Sequence, residues 1–318
     1  MFSAYVRIMS DPLADVVRLL TPAPSISKRV TAAGRWIVER RELGRPFYCA
    51  MVEGACRLTV AGRAPIRLEA GDFVLVPEAF AFACTSLEPP GPGAPRRPLE
   101  LAPGVVRLGD AGAPADVVML VGHCDFASPD RALLVSLLPE VVHARGAERL
   151  TALVRLIDDE TRSDRAARGM VLARLLEVLL IDALRSAGGT GATPGLMRGL
   201  ADPRLGAALR RIHAHPAHPH TVAELAAAAA LSRTTFHERF RREVGAAPME
   251  YVARWRISLA KEMLARRAAP IAEVAQRVGY GSTSAFSMAF ARHVGAPPGV
   301  FAARTAGPPG AGVQPPAA

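Results

Sequence analysis

Thr234, His237 and Glu238 carry hydrogen-bonding groups of the kind that read base edges, and Arg233, Arg241 and Arg242 beside them carry charge that can meet phosphate. On a helical wheel Thr234, Glu238, Arg241 and Arg242 share one face, with His237 on its flank, while Phe236, Phe240 and Val244 line the other. Glu238 can accept from cytosine N4, and His237 can donate to a purine acceptor. This chemistry is recognition, and it needs a rigid support. Ser232 can cap the helix, Gly245 can end it in the left-handed conformation, and Pro248 can open the next one.

The same device occurs twice. TVAELAAAAALSRTTFHERFRREVGAAPMEYV, from Thr221, recurs as PIAEVAQRVGYGSTSAFSMAFARHVGAPPGVF, from Pro270. The offset grows from 49 (Glu224 to Glu273) to 50 (Phe236 to Phe286), so the second copy has one extra residue in its turn. There Ser282 caps and Phe286 and Phe290 anchor. Thr283, Ser284, Ser287 and Met288 lie away from the anchors and are the base-facing set. They are short or apolar, so readout through them is expected to depend more on DNA shape. Backbone contacts are expected from Ser232, Arg233, Arg241 and Arg242 in the first copy and from Ser282 and Arg292 in the second. Two helices with a short turn, the second polar outward, follow the helix-turn-helix plan. Two ordinary hairpins of an all-α core are the plain alternative, and tandem repetition argues against it.

The pattern resembles the AraC/XylS-type DNA-binding domain, two helix-turn-helix units bridged by one helix. The family signature falls on Phe286, Phe290, Gly295 and Pro298. The bridge is expected from Met249 to Arg266, about 27 Å long, which lets the two units reach successive major-groove segments. Val252, Trp255, Leu259 and Met263 form its apolar stripe, with Arg254, Arg256 and Lys261 expected outward. His220 stands where the family often has Trp, and Ala302 where it often has Arg.

Charge distribution agrees with this reading. The formal net charge is +10, and residues 200–305 hold 15 Arg and Lys against 7 Asp and Glu, leaving +2 for the rest. A basic module is expected to neutralise phosphates. The start, MFSAYVRIMSDPLADVVRLL, is broken by Arg7, Asp11, Asp15 and Arg18, so a signal peptide is not expected there, and no apolar run suits a membrane span. Cys49, Cys56, Cys84 and Cys124 lack metal-type spacing, so a reduced, cytoplasmic protein is expected.

The first half reads differently. After an amphipathic helix over Asp11–Leu20 come short strands: Gly34–Arg40, Phe47–Val52, Cys56–Val60, Ile66–Leu68, Phe73–Val76, Val105–Leu108 and Val117–Val121. Glycine turns between short strands suggest a closed barrel or jelly roll, with a Pro-rich loop over Pro89–Pro103. Phe47-Tyr48, Glu53-Gly54, the run Leu68–Pro77 and Gly122-His123 resemble the cupin-like sensor domain of one branch of AraC-type regulators. Cupin enzymes hold metal through His and Glu, and no histidine precedes His123, so neither metal nor another cofactor is expected. Phe47, His123 and Cys124 are the candidate effector contacts; the plain reading of His123 and the cysteines is packing.

Helices are expected again near Leu133–Pro139, near Leu150–Ile157 and over Arg168–Arg185. They either cover the barrel or form the dimer contact that the resemblance implies. Residues 1–185 are expected to form the cupin-like domain, 186–199 a linker, 200–305 the DNA-binding domain, and 306–318 a disordered tail. The clustered His213, His215, His218 and His220 sit among prolines at a helix end, where a metal site is not expected. The fold expected is α+β: a cupin-like β-barrel with following helices, then an all-α domain. The function expected is a sequence-specific DNA-binding transcription regulator, no enzyme, acting as a homodimer. Its partners would be double-stranded DNA, a small-molecule effector and RNA polymerase. The alternative is a metal-independent cupin-like enzyme or ligand-binding protein with a helical appendage.

Overall fold

The computed structural model describes residues 11–88, 91, 98–186 and 194–305. Residues 187–193 of the expected linker, the tail from 306, most of the Pro-rich loop and the first ten residues lie outside that set.

In chain order, helix α1 (Pro12–Leu20) precedes eight strands: β1 (Pro22–Ala33), β2 (Ile37–Glu53), β3 (Ala55–Val60), β4 (Ile66–Glu69), β5 (Phe73–Thr85), β6 (Leu99–Ala102), β7 (Val105–Gly109) and β8 (Val117–Phe126). Helix α2 (Arg131–Ser136), strand β9 (Val142–Ala144), and helices α3 (Glu148–Arg162), α4 (Arg168–Ser186) and α5 (Leu196–Ala201) follow. The rest is helical: α6 (Pro203–Ala214), α7 (Val222–Ala228), α8 (Arg233–Val244), α9 (Pro248–Ala265), α10 (Ile271–Arg277), α11 (Thr283–Val294) and α12 (Pro298–Thr305). The described residues fall into two compact units, one within Leu20–Ala127 and Val135–Ala201, the other within Met1–Leu19, Ser128–Leu134 and Asp202–Ala318.

The first of these is β-rich. Its sheet runs β4-β3-β5-β2-β8-β1-β7-β6, with β9 beside β5. Pairing is antiparallel except for β1 with β7. Among the described residues this path is open, ending at β4 and β6, which corrects the expected closed barrel. Three strands were missed in the sequence: β1, whose Pro22 and Pro24 obscure its alternation; β6, inside the expected Pro-rich loop; and β9, three residues long. β2 and β5 are each longer than expected, because register shifts between Arg41 and Phe47 let one strand continue through Gly44 and Pro46. The expected linker is also shorter, since α5 is helical and Leu196 is fully buried. Trp36, Phe47, Met51, Leu58, Leu68 and Val74 belong to the apolar core. Helices α3 and α4 pack on each other and on β1.

The second unit is all-α in its described part. Helix α9 packs against α8 and also against α10, α11 and α12, so one helix carries both repeats. Around it, Ile257, Ala260 and Leu264 meet Val274, Ala275, Phe286 and Phe290 in one core.

Candidate functional site

Each repeat builds its exposed helix the same way. In the first, the Thr221 hydroxyl accepts from the Glu224 N–H at 3.2 Å while the Glu224 carboxylate accepts from the Thr221 N–H at 3.1 Å, a capping box that starts α7. Helix α7 ends in a tight turn: the Ala230 N–H donates to the Ala227 carbonyl and the Leu231 N–H to the Ala226 carbonyl. Ser232 then opens α8 by accepting from the Thr235 N–H at 3.2 Å, and Gly245 closes it at φ 85°. In the second repeat the Gly279 N–H donates to the Gln276 carbonyl and the Tyr280 N–H to the Ala275 carbonyl. Ser282 accepts from the Ala285 N–H at 3.1 Å, and Gly295 closes α11 at φ 77°. The hydrogen bonds match at an offset of 49 up to Tyr280, and the caps match at 50, so the extra residue is Gly281.

Anchoring follows the apolar stripe. Phe236, Phe240, Phe286 and Phe290 are all fully buried. Phe236 and Phe240 lie 5.4 Å apart between ring centroids, and Phe286 and Phe290 lie 5.5 Å apart. The opposite face is open: Ser232, Arg233, Thr234, His237, Glu238, Arg241 and Arg242 are exposed. On α11 and its cap, Ser282, Thr283, Ser284, Met288 and Arg292 are exposed, and Ser287 is half-buried. Arg242 is engaged with Glu243 at 2.8 Å.

Two cations on α9 are not outward, contrary to expectation. Arg256 donates to the backbone carbonyls of Pro216 at 2.8 Å and His218 at 2.7 Å, and lies 5.8 Å from the Tyr280 ring centroid. Lys261 is paired with the buried Asp130 at 2.6 Å, and Ser258 donates to the same carboxylate at 2.5 Å. Leu259 and Met263, expected in the buried stripe, are only partly buried. Two histidines of the 213–220 cluster, His213 and His220, are buried, while His215 is exposed and His218 lies 3.6 Å from Glu224. His213 stacks on Trp255 with centroids 4.0 Å apart, and the His220 ring contacts the His215 carbonyl oxygen at 2.9 Å. Ala302, where the family often has arginine, packs partly buried against the core of Phe286 and Phe290.

The β-rich unit holds a cavity of about 180 Å³ on one face of its sheet. Strand register assembles it. Phe47 of β2 pairs with His123 of β8, Lys28 of β1 pairs with Val121, and Arg40 of β2 pairs with Phe82 of β5; all six line the cavity. Phe47 stacks on Phe82 at 4.3 Å and lies 5.5 Å from His123. Cys124, grouped with these residues in the sequence, is not among the lining residues. It follows His123 directly, so the pleat turns it to the other face, where it is fully buried. Cys84 lines the cavity instead. Burial pushes the Cys49 and Cys84 thiols up and the Cys56 thiol to about 12, which keeps them protonated and unreactive at neutral pH. Sequence reasoning missed Lys28, Arg40, Arg45 and Phe82. The signal available for Lys28 was the alternation Lys28, Val30, Ala32 in a stretch not read as a strand.

Paired helix-turn-helix units on one bridging helix, in a chain that also carries a β-rich unit with a cavity, define a two-part DNA-binding regulator. Residues 11–187 match the sequence family described as cupin, and residues 225–304 match the helix-turn-helix domain family. A Streptomyces antibioticus protein designated an AraC-like transcription regulator is 40% identical over 92% of this chain and 98% of its own. A Streptomyces lividans protein with the same designation is 35% identical over 92% of this chain and 97% of its own. The solved DNA-binding domain of AdpA, a global transcriptional factor in complex with a target DNA, is 32% identical, covers 30% of this chain and 87% of its own, and has a TM-score of 0.30. The chain belongs to the AraC-like transcription regulators with an N-terminal cupin domain, and it is a DNA-binding transcription regulator.

Proposed function

We propose that the protein is a sequence-specific regulator that places α8 and α11 in two successive major-groove segments and answers to a small effector held by the cupin domain. The observation that carries this is the matched pair of faces. In both repeats the two aligned phenylalanines, Phe236 and Phe240 in the first and Phe286 and Phe290 in the second, are buried, and the polar residues opposite them are open or, at Ser287, half-buried. Thr234, His237 and Glu238, with Thr283, Ser284, Ser287 and Met288, would read bases. Ser232, Arg233, Arg241, Arg242, Ser282 and Arg292 would hold the backbone.

We assign 1–185 to the effector, 200–305 to DNA and the residues between them to the connection, although α1 and residues 128–134 group with the helical unit and α5 with the β-rich one. Phe47 and His123 are the effector contacts we assign; Cys124 is not, given its position on the other sheet face. The protein acts without catalysis. His123 is the single histidine among the described residues that line the cavity, which is too few for the ligand set of a metal-dependent cupin. We place the protein in the cytoplasm, as a homodimer through α3 and α4, with RNA polymerase as a further partner. Exposed Leu156 on α3 and Met170 on α4, 52% and 69% accessible, favour that dimer contact over a purely internal role.

The test is binding of the full-length protein to duplex DNA across a salt series, followed by selection of its preferred sites. Affinity should fall steeply with salt, and the selected sites should contain two conserved segments about one helical turn apart. A flat salt dependence, or a selection that returns no motif, overturns the reading.

A further inference from the structure

The cavity of the β-rich unit has a chemistry of its own. Lys28, Arg40 and Arg45 line it, and no Asp or Glu is among its described lining residues. Arg45 is already neutralised, because its Nε and Nη2 both reach Asp125 at 2.9 Å. Lys28 has no ion-pair partner among the described residues, and Arg40 makes only a long contact, 3.5 Å, to the Glu39 carbonyl oxygen. Its charge is felt at the cavity wall, since it partly offsets the burial that raises the Cys84 thiol. The rest of the lining is apolar, and its centre is the stacked pair Phe47 and Phe82 with His123 beside it.

We propose that this cavity binds a small aromatic monocarboxylate, with the ring against Phe47 and Phe82 and the carboxylate met by Lys28 and Arg40. The proposal rests on the reading of the cavity as the effector site. Four physical points carry it. A cation in the cavity would be repelled by two uncompensated positive charges. A polyhydroxylated ligand would leave hydroxyls without partners against valine, leucine and phenylalanine side chains. A neutral ring would fill the apolar part but leave the partly desolvated ammonium of Lys28 unmatched, whereas a carboxylate supplies a charge-assisted hydrogen bond. Size sets the last bound: about 180 Å³ is close to the roughly 150 Å³ apolar cavity that takes up benzene.

The experiment uses the full-length protein with benzoate, benzamide and benzylammonium at constant ionic strength, read by calorimetry and by thermal shift. Benzoate should bind saturably and raise the melting temperature, with the other two inert. Lys28→Gln, at a partly exposed strand position, should weaken benzoate by about tenfold, the worth of one charged hydrogen bond. Met119→Trp, which fills the cavity, should abolish binding. If benzamide binds as well as benzoate and Met119→Trp abolishes both, the anion class is wrong while the cavity stands as a ligand site. If benzoate binds equally to wild type and to both variants, its site lies elsewhere and the cavity reading falls too. No binding of benzoate at millimolar concentration overturns the proposal. Lys28→Gln gives the decision by itself should Met119→Trp fail to fold.

Discussion

Ala230 and Gly279 occupy the same position in the two copies of the helix-turn-helix turn, and both are left-handed, at φ 50° and 83°. Only one is glycine. The turn demands a positive φ because α7 and α10 each end with the same pair of backward hydrogen bonds. A Cβ in that region costs about 1 kcal/mol or more, so the first copy holds a small strain that the second avoids. Ala230→Gly is therefore expected to raise stability by roughly 1 kcal/mol. Gly279→Ala should do the reverse and more, because its Cβ would stand 2.6 Å from the Ala217 carbonyl oxygen, a backbone atom that cannot swing aside. Denaturant midpoints of the two variants check this; a lower midpoint for Ala230→Gly would show that the turn is not strained.

The four phenylalanines were legible in the sequence because everything that places them is local. Their i, i+4 spacing, a serine cap and a glycine stop lie within one short helix, and repetition confirmed the pattern. The cavity was not legible, because it exists only through long-range strand register. Lys28 meets Val121 and Phe47 meets His123 across strands that share no local pattern. Lys261 was misread for the same reason. Its partner, Asp130, is 131 residues away, and a helical wheel shows only that lysine is off the apolar stripe.

Truncating an anchor should be costly. Phe240 and Phe290 are each fully buried, and each makes further ring contacts, with Tyr251 at 5.8 Å and with Phe301 at 5.5 Å. Phe240→Ala or Phe290→Ala should cost about 3–5 kcal/mol, a large fraction of a small unit's stability. Thermal melts are the measurement; melting within error of wild type would mean that these faces are not core.

Base reading and backbone holding should separate by mutation. Glu238 and Arg241 are both exposed on α8, one turn apart on the face opposite the phenylalanines. Glu238→Ala should alter preference at one or two base pairs, while Arg241→Ala should weaken all sequences alike and flatten the salt dependence by about one phosphate. Site selection with both variants decides; an unchanged motif for Glu238→Ala removes it from the reading set.

His213 gives the second unit a pH dependence. Its Nε2 lies 2.8 Å from the Tyr251 hydroxyl, and its Nδ1 lies 3.3 Å from Asp15, 198 residues away in sequence. Burial holds its pKa below the usual 6.5, and Asp15 only partly opposes this. The neutral ring is the folded form, so the unfolded chain binds more protons once pH falls below about 6.5. Stability is full above that value and is lost progressively on acidification toward the folded pKa. His220 and His293 are lowered too and add with the same sign. Melting temperature should fall between pH 7.5 and 5.5, and His213→Gln, though less stable at pH 7.5, should show a shallower fall. Equal slopes would show that His213 does not carry the effect.

Paired half-sites should test the proposed dimer. Two DNA-binding units held together raise the effective concentration of the second once the first is bound, so a two-half-site operator gains far more than a single half-site. Leu156 and Met170 are exposed on α3 and α4, away from the buried stripe that includes Val154, Leu172 and Leu176. A charge at either position should therefore disturb the proposed intermolecular contact and leave the fold standing. Leu156→Asp with Met170→Asp is expected to keep the wild-type melting temperature and single-half-site affinity, while two-half-site affinity falls by about 10²-fold. Light scattering should show the variant at monomer mass. If the variant keeps the wild-type ratio of the two affinities, α3 and α4 do not join the copies on DNA, and their exposed apolar residues need another explanation.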